Sequence, residues 1–136
     1  MRTITDAYRA AWSELGRDLT DIPLMGMTRF IVIAETDDAA LAIARRIYPI
    51  WYASFMKLWW RHDKIPPLAA YTEDFDGIVA SGLAVAGSAK TVHDTLTDHI
   101  EDSGINYFLP RFAFGDITYE EAAYSIDAFT EMFLSD

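Results

Sequence analysis

The stretch at residues 27–34, MTRFIVIA, constrains the fold more than any other part of this chain. Positions 30–34 are all apolar, so a strand formed here has two apolar faces. A strand of that kind has to be covered on both sides, which is typical of a parallel sheet. A second apolar run begins at Tyr107 and predicts another strand over 106–111.

The segments around these two strands have helical spacing. Helices are predicted over 3–15, 37–61, 73–81, 88–103 and 119–134, with loops at 17–26 and 63–72. Pro49 should kink or split the second helix after Tyr48. Thr118 and Glu121 have the spacing of a capping box and mark the start of the last helix. Strands that alternate with helices predict parallel β/α units in one domain.

Two parallel strands alone are not a stable sheet, because both edges expose unpaired backbone groups. An unpaired backbone group costs about 1–3 kcal/mol when it is buried. The chain has 136 residues, whereas a complete (β/α)8 barrel takes about 250. The sequence therefore predicts an incomplete arrangement that needs further strands.

Composition excludes several classes of function. The chain has 11 basic and 21 acidic residues and a net charge of −10, which disfavours a nucleic-acid partner. It has no cysteine, which excludes disulfides and thiolate chemistry. Its three histidines lack the spacing of metal ligands, so no metal is expected. No signal peptide or membrane span is indicated, and a cytoplasmic location is expected.

Three blocks carry a resemblance to a known family. They are RFIVIAETDDAALAIARRIYPIW at 29–51, VAGSAKTVHDTL at 85–96 and SGINYFLPRFAFGDITYEEAAYSIDAFTEMF at 103–133. In this order they resemble the C-terminal third of the luciferase-like monooxygenases, which are flavin-dependent enzymes built on a TIM barrel. One difference is Ala89-Lys90, where the family usually has Pro-Glu.

The resemblance implies a fold and an activity. The fold would be the C-terminal part of a (β/α)8 TIM barrel, with 27–34 as strand 7, 106–111 as strand 8 and a lid-like helical insertion at about 49–82. The activity would be oxidation of an organic substrate by molecular oxygen and reduced flavin, either FMN or a deazaflavin. Expected partners are flavin, a small-molecule substrate and a second copy or partner chain that completes the barrel. The alternative is a catalytically inactive chain that acts only as a structural or assembly partner.

Arg111 is the first candidate for cofactor binding. It follows the apolar run of the second strand, and barrel enzymes place their sites at the C-terminal ends of strands. Its guanidinium would face a flavin or an anionic substrate, or else form a structural ion pair with Glu35 or Asp116. Glu35 ends the other strand and is a second candidate, with Thr36 as a helix cap beside it.

Gly87 and Ser88 are weaker candidates for cofactor binding. They open a helix and so offer free backbone amides to a phosphate, although simple capping by Ser88 explains them as well. Phe112 and Phe114 line an apolar pocket in one interpretation and belong to the core in the other. The sequence identifies no catalytic residue.

Overall fold

A computed structural model of the chain describes residues 1–66 and 71–134. Helix α1 spans Arg2–Glu14, strand β1 Gly26–Ile33, helix α2 Asp37–Arg61, helix α3 Phe75–Ala80, strand β2 Ala84–Gly87, helix α4 Ala89–Ser103, strand β3 Tyr107–Arg111 and helix α5 Tyr119–Phe133. A 3-10 turn lies at Leu19–Asp21. No helix within the described residues is both long and apolar enough to cross a membrane.

The three strands form one parallel sheet in the order β2-β1-β3. The two neighbours of β1 are staggered along it. β2 pairs with residues 30–33, and β3 pairs with residues 26–30. Each neighbour therefore covers only one half of β1.

Helices cover both faces of the sheet. Phe30 and Val32 face a core formed with α2 and α3, whereas Ile31 and Ile33 face a core formed with α4 and α5. All four side chains are at most 2% exposed. These helical layers explain why the central run of β1 is apolar at every position.

The expectation of an incomplete (β/α)8 TIM barrel is wrong. Segments 27–34 and 106–111 do pair in parallel, but as β1 and β3 of a three-stranded sheet with helices on both sides. A barrel carries its helices on the outer face alone. The sequence prediction failed because β2 has only four residues, Ala-Val-Ala-Gly, and such a run shows no periodicity.

The helix boundaries agree closely with the sequence prediction, with one exception. α2 continues through Pro49 as a single helix from Asp37 to Arg61, so of the predicted kink or split, the split is wrong. The predicted lid, 49–82, includes the second half of α2 and all of α3. Residues 67–70 of this segment lie outside the described residues. Phe75 and Ile78 of α3 are buried in the core.

Ser125 of α5 completes the bonding of β1 where β3 no longer reaches. Its hydroxyl accepts a hydrogen bond from the Ile33 amide at 3.0 Å, and it lies 3.1 Å from the carbonyl oxygens of both Ile33 and Glu121. The side chain is fully buried. A polar residue in the core layer thus takes the place of a strand partner.

Arg46 joins α2 to the start of α5. Its guanidinium lies 2.7 Å from the Glu121 carboxylate and 3.4 Å from Asp116. Glu121 also accepts the Thr118 amide at 3.0 Å, and Thr118 accepts the Glu121 amide at 3.2 Å, so the predicted capping box is confirmed. The Thr118 amide bond, followed by Arg46, lowers the pKa of Glu121 from its ordinary value of 4.5.

Gly115 lies in the turn between β3 and α5 and has a backbone φ of +63°. A Cβ at this position would overlap the carbonyl oxygen of Ile47 in α2. We expect Gly115→Ala to lower the free energy of unfolding by at least about 3 kcal/mol, because backbone strain adds to the overlap. Urea denaturation measures this change.

Gly16→Ala is the matched control for that substitution. Gly16 has a similar φ of +69°, but a Cβ there meets nothing within 4 Å. Gly16→Ala should lower the free energy of unfolding by only about 1–2 kcal/mol, which is the strain of the left-handed backbone. Equal losses for both variants would contradict the close approach of the turn to α2.

The pKa of Glu121 predicts a pH-dependent stability. A carboxyl whose pKa is lower in the folded state stabilises the fold above pH 4.5, and this contribution disappears as the pH falls through the folded value. At pH 7 Glu121→Gln should be less stable by up to about 1 kcal/mol, since the ion pair is partly exposed. Thermal unfolding at pH 7 and at pH 3 should show the difference shrinking. Glu120→Gln, at an exposed neighbouring position, should show no such trend.

Candidate functional site

A cleft lies at the C-terminal end of β1. The strands that follow β1 in the chain are added first on one side of it and then on the other. Open α/β sheets bind ligands at such a point. The cleft, which we call the acidic cleft, has a volume of about 320 Å³. Its lining residues are Ile33, Ala34, Glu35, Ala39, Ile43, Glu120, Glu121 and Tyr124. Three carboxylates at an otherwise apolar cleft disfavour a phosphate-bearing ligand.

Arg111, the last residue of β3, lies beside β1 in register with Phe30. The Cζ atom of its guanidinium lies 4.3 Å from the centre of the Phe30 ring and 5.7 Å from that of Trp51. Cations at such distances are attracted to the ring face. These two contacts fix Arg111 to the aromatic part of the core.

The alternative of a structural ion pair for Arg111 is wrong. Asp116 pairs with Arg46 instead, and Glu35 lies at the cleft described above. Across residues 1–66 and 71–134, no carboxylate lies within 4.0 Å of the Arg111 guanidinium. The guanidinium thus lies against two aromatic rings, and its charge is available to an anion.

Arg111 lines a second cavity, of about 230 Å³, which we call the arginine cavity. Its lining residues are Met1, Gly26, Met27, Thr28, Arg29, Phe30, Tyr71, Leu83 and Arg111. The lining includes two arginines and a tyrosine but no acidic residue. In a chain with a net charge of −10, this is a locally positive site.

The arginine cavity opens beside the first half of β1, where β2 gives no cover. Arg29 lies in this half and is partly buried, and that burial lowers the pKa of its guanidinium. One Arg29 Nη donates to the carbonyl oxygen of Thr28 at 2.7 Å. Like Arg111, Arg29 has no ion-pair partner in the described part of the chain.

Aromatic rings form the wall behind the arginine cavity. The Tyr71 ring centre lies 5.6 Å from that of Trp51 and 5.3 Å from that of Phe55, and Trp51 stacks on Phe55 at 4.9 Å. Tyr48 is fully buried behind them and donates its hydroxyl to the Thr72 carbonyl at 2.8 Å, and burial raises its pKa. Such interlocked rings give the cavity a well-ordered wall.

Glu35 and Arg111 are not brought together. Glu35 is exposed in the acidic cleft, and Arg111 lines the arginine cavity. The helix cap predicted beside Glu35 is confirmed, because the Thr36 hydroxyl accepts the Ala39 amide at 3.2 Å. A shared role of Glu35 and Arg111 in one flavin contact has no geometric support.

The Ser88 amide, next to Gly87, already has an anionic partner. The Asp37 carboxylate accepts the Ser88 amide at 2.6 Å and the Thr91 hydroxyl at 3.0 Å, and these hydrogen bonds lower the pKa of Asp37. A phosphate at this helix start would have to displace Asp37. Capping by Ser88 is confirmed, since its hydroxyl accepts the Thr91 amide.

Phe112 and Phe114 belong to the core. Phe114 is 5% exposed and packs on Phe30 with ring centres 4.8 Å apart. Phe112 packs on Phe129 at 5.3 Å on the other face of the sheet. The sequence analysis missed Arg29 and Tyr71. A cation within an otherwise apolar strand was the available signal for Arg29.

No family model matches the chain. The chain is 32% identical over 126 residues to "Uncharacterized protein y4wF" of Sinorhizobium fredii (strain NBRC 101917 / NGR234). That match covers 92% of this chain and 36% of the relative.

Two solved structures are similar to the chain. The crystal structure of monooxygenase RslO1 from Streptomyces bottropensis matches with a TM-score of 0.64 and 21% identity, over 98% of this chain and 36% of that one. Apo-MsnO8 matches with a TM-score of 0.49 and 20% identity, over 93% of this chain and 41% of that one. The chain spans about a third of the length of y4wF and RslO1. It therefore shares the fold of one part of a monooxygenase.

Proposed function

We propose that this chain is part of a flavin-dependent monooxygenase of the luciferase-like kind, with the arginine cavity as its contact to the anionic part of the flavin. The observation that carries the proposal is the guanidinium of Arg111, which has no carboxylate partner in the described residues and lies over Phe30 in a cavity that Arg29 and Tyr71 also line. The similarity to RslO1 over 98% of the chain supports the reaction class, as do the three sequence blocks described above.

The residues of the cavity fit an anionic aromatic ligand. Arginine forms paired hydrogen bonds to phosphate, and its planar group also stacks on rings. Whole small-molecule sites measure about 300–1,000 Å³, so 230 Å³ holds only one part of a flavin. We assign that part to the phosphate of FMN. A bound flavin would supply the redox chemistry with molecular oxygen, and this chain would supply position and charge.

Substitution of Arg111 tests the assignment. We expect Arg111→Ala to weaken FMN binding at least about tenfold, because it removes a cation from the phosphate contact. Arg111→Lys keeps the charge but loses the planar contact, and it should fall between alanine and the original. Quenching of flavin fluorescence measures the dissociation constants. Riboflavin, which lacks the phosphate, should bind weakly and equally to all three proteins.

Arg17→Ala provides the matched control. Arg17 also lies over a ring, that of Trp12 at 4.5 Å, and its loss changes the net charge equally. It does not line the arginine cavity. FMN binding that is unchanged in Arg111→Ala, or reduced as much in Arg17→Ala, would remove Arg111 from the proposed site.

The second candidate function is assembly without catalysis. The outer edges of β2 and β3 have no neighbouring strand in the described residues. Tyr107 and Leu109 of β3 are 44% and 46% exposed, and open strands of this kind pair with other chains. Oligomer formation in light scattering together with absent FMN binding would favour this function over the first.

A further inference from the structure

Helix α2 continues well beyond its last ring contact with the sheet. The ring of Trp51 still reaches β1, because its centre lies 4.6 Å from that of Phe30. Phe55, one turn further along, contacts the rings of Trp51 and Tyr71. The helix then runs on to Arg61. Its last two turns therefore carry the apolar spacing of the core-facing side past the strands.

An open groove of about 560 Å³ lies along this end of α2. We call it the tryptophan groove, and its lining residues are Phe55, Leu58, Trp59, His62 and Lys64. The volume is within the range of about 300–1,000 Å³ that is typical of small-molecule sites. Leu58 is 64% exposed, so the groove presents apolar surface to solvent.

The turn that ends α2 brings Lys64 to the groove. The Lys64 amide donates to the carbonyl oxygen of Trp59 at 2.9 Å, and the Asp63 amide donates to that of Trp60 at 3.1 Å. These two bonds form a Schellman motif, with Asp63 in the left-handed region at a φ of +50°. The motif turns the chain back on the helix, and it occupies carbonyl oxygens that would otherwise repel an anion at a helix C-terminus.

The positive charge of this helix end is unpaired. Residues 57–65, KLWWRHDKI, include Lys57, Arg61 and Lys64 but only one acidic residue, Asp63, in a chain with a net charge of −10. Across residues 1–66 and 71–134, none of these three cations has a carboxylate within 4.0 Å. Asp63 does not line the groove. The groove is thus apolar, with local positive charge at one end.

A small cavity elsewhere in the molecule shows the contrast. It has a volume of about 200 Å³, and its lining includes Arg29, His99 and Asp102, so opposite charges meet in one lining. The acidic cleft is lined by three glutamates. The described lining of the tryptophan groove instead combines apolar side chains with a lysine and a histidine and has no acidic residue. Such a lining favours an apolar molecule that carries a negative group.

We propose that the tryptophan groove binds a planar aromatic carboxylate. The ring system lies against Phe55, Leu58 and Trp59, and the carboxylate lies at Lys64. Two aromatic side chains one turn apart favour a planar ring over an aliphatic chain. The site is separate from the proposed flavin contact, since the described linings of the two cavities share no residue.

Two other occupants of the groove fit the charges less well. A two-fold contact with a second copy would bring the unpaired cations of both copies together. An extended anionic lipid surface would meet the charge of −10 of the whole chain, whereas a small ligand meets mainly the charges within a Debye length.

NMR of the tryptophan indole N–H groups in the whole chain tests the proposal, with 2-naphthoate as the probe. The indole signal of Trp59, assigned with Trp59→Phe, should shift in a saturable way. The signal of Trp12, whose indole donates to the Asp18 carbonyl at 2.8 Å outside the groove, should not move. Benzoate should bind more weakly than 2-naphthoate, because it buries less apolar surface.

A charge series with the same ring system tests the carboxylate contact. The neutral 2-naphthalenemethanol should bind more weakly than 2-naphthoate, and the cationic 2-naphthylmethylamine about tenfold more weakly. The net charge of the chain favours the reverse order. A preference for the anion therefore reports the local charge of the groove.

Two substitutions with matched controls locate the site. Leu58→Glu should weaken 2-naphthoate binding at least fivefold, because it removes an apolar contact and adds a negative charge. Leu24→Glu, at a position 69% exposed in the loop before β1, should have no effect. Lys64→Gln should weaken binding about two- to fivefold, whereas Lys90→Gln, which breaks an exposed pair with Asp94, should not. FMN binding should be unchanged in Leu58→Glu.

Three results would overturn the proposal. The first is no saturable shift of the Trp59 signal up to about 10 mM 2-naphthoate. The second is equal or tighter binding of 2-naphthylmethylamine, or equal losses in a variant and its control. The third is a different occupant: binding to phosphatidylglycerol vesicles that Leu58→Glu abolishes without any binding of free 2-naphthoate, or a dimer in sedimentation that Leu58→Glu dissociates.

Discussion

The stagger of β2 and β3 along β1 determines where this molecule can hold ligands. β1 is the one strand in the described residues with a neighbour on both sides, but neither neighbour covers its full length. Where β2 stops short, the first half of β1 borders the two cavities that share Arg29. Where β3 stops short, Ser125 takes over the hydrogen bonds of Ile33, and the acidic cleft lies beside it. Each site therefore follows from one incomplete strand pairing.

The same stagger separates the charges of the chain. Three glutamates lie at the C-terminal end of β1, and two arginines lie beside its first half. Arg46 neutralises part of the acidic end, and Asp37 accepts the Ser88 amide at the start of α4. Arg29 and Arg111, which line the arginine cavity, have no carboxylate within 4.0 Å in the described residues. An acidic protein thus keeps a positive site that attracts anions despite its net charge.

Much of the local structure could be predicted from the sequence, because local interactions specify it. The capping box at Thr118 and the cap at Ser88 are set by residues three positions apart, and both are confirmed. The strand order could not be predicted, since it depends on a four-residue strand and on which face each helix covers. For the site, Arg111 was recognisable from its place at a strand end. Its contact with Trp51, 60 positions earlier, and the shared cavity with Arg29 depend on the tertiary structure.

The two cavities that share Arg29 differ in how they would use its charge. The arginine cavity has a second arginine, Arg111, and no acidic residue in its lining, so an anion there is attracted without opposing repulsion from the lining. The cavity lined by Arg29 and His99 also has Asp102 in its lining, which would repel an anion there. Because Arg29 lines both cavities, an anion bound near its side chain in one would lower the positive potential in the other.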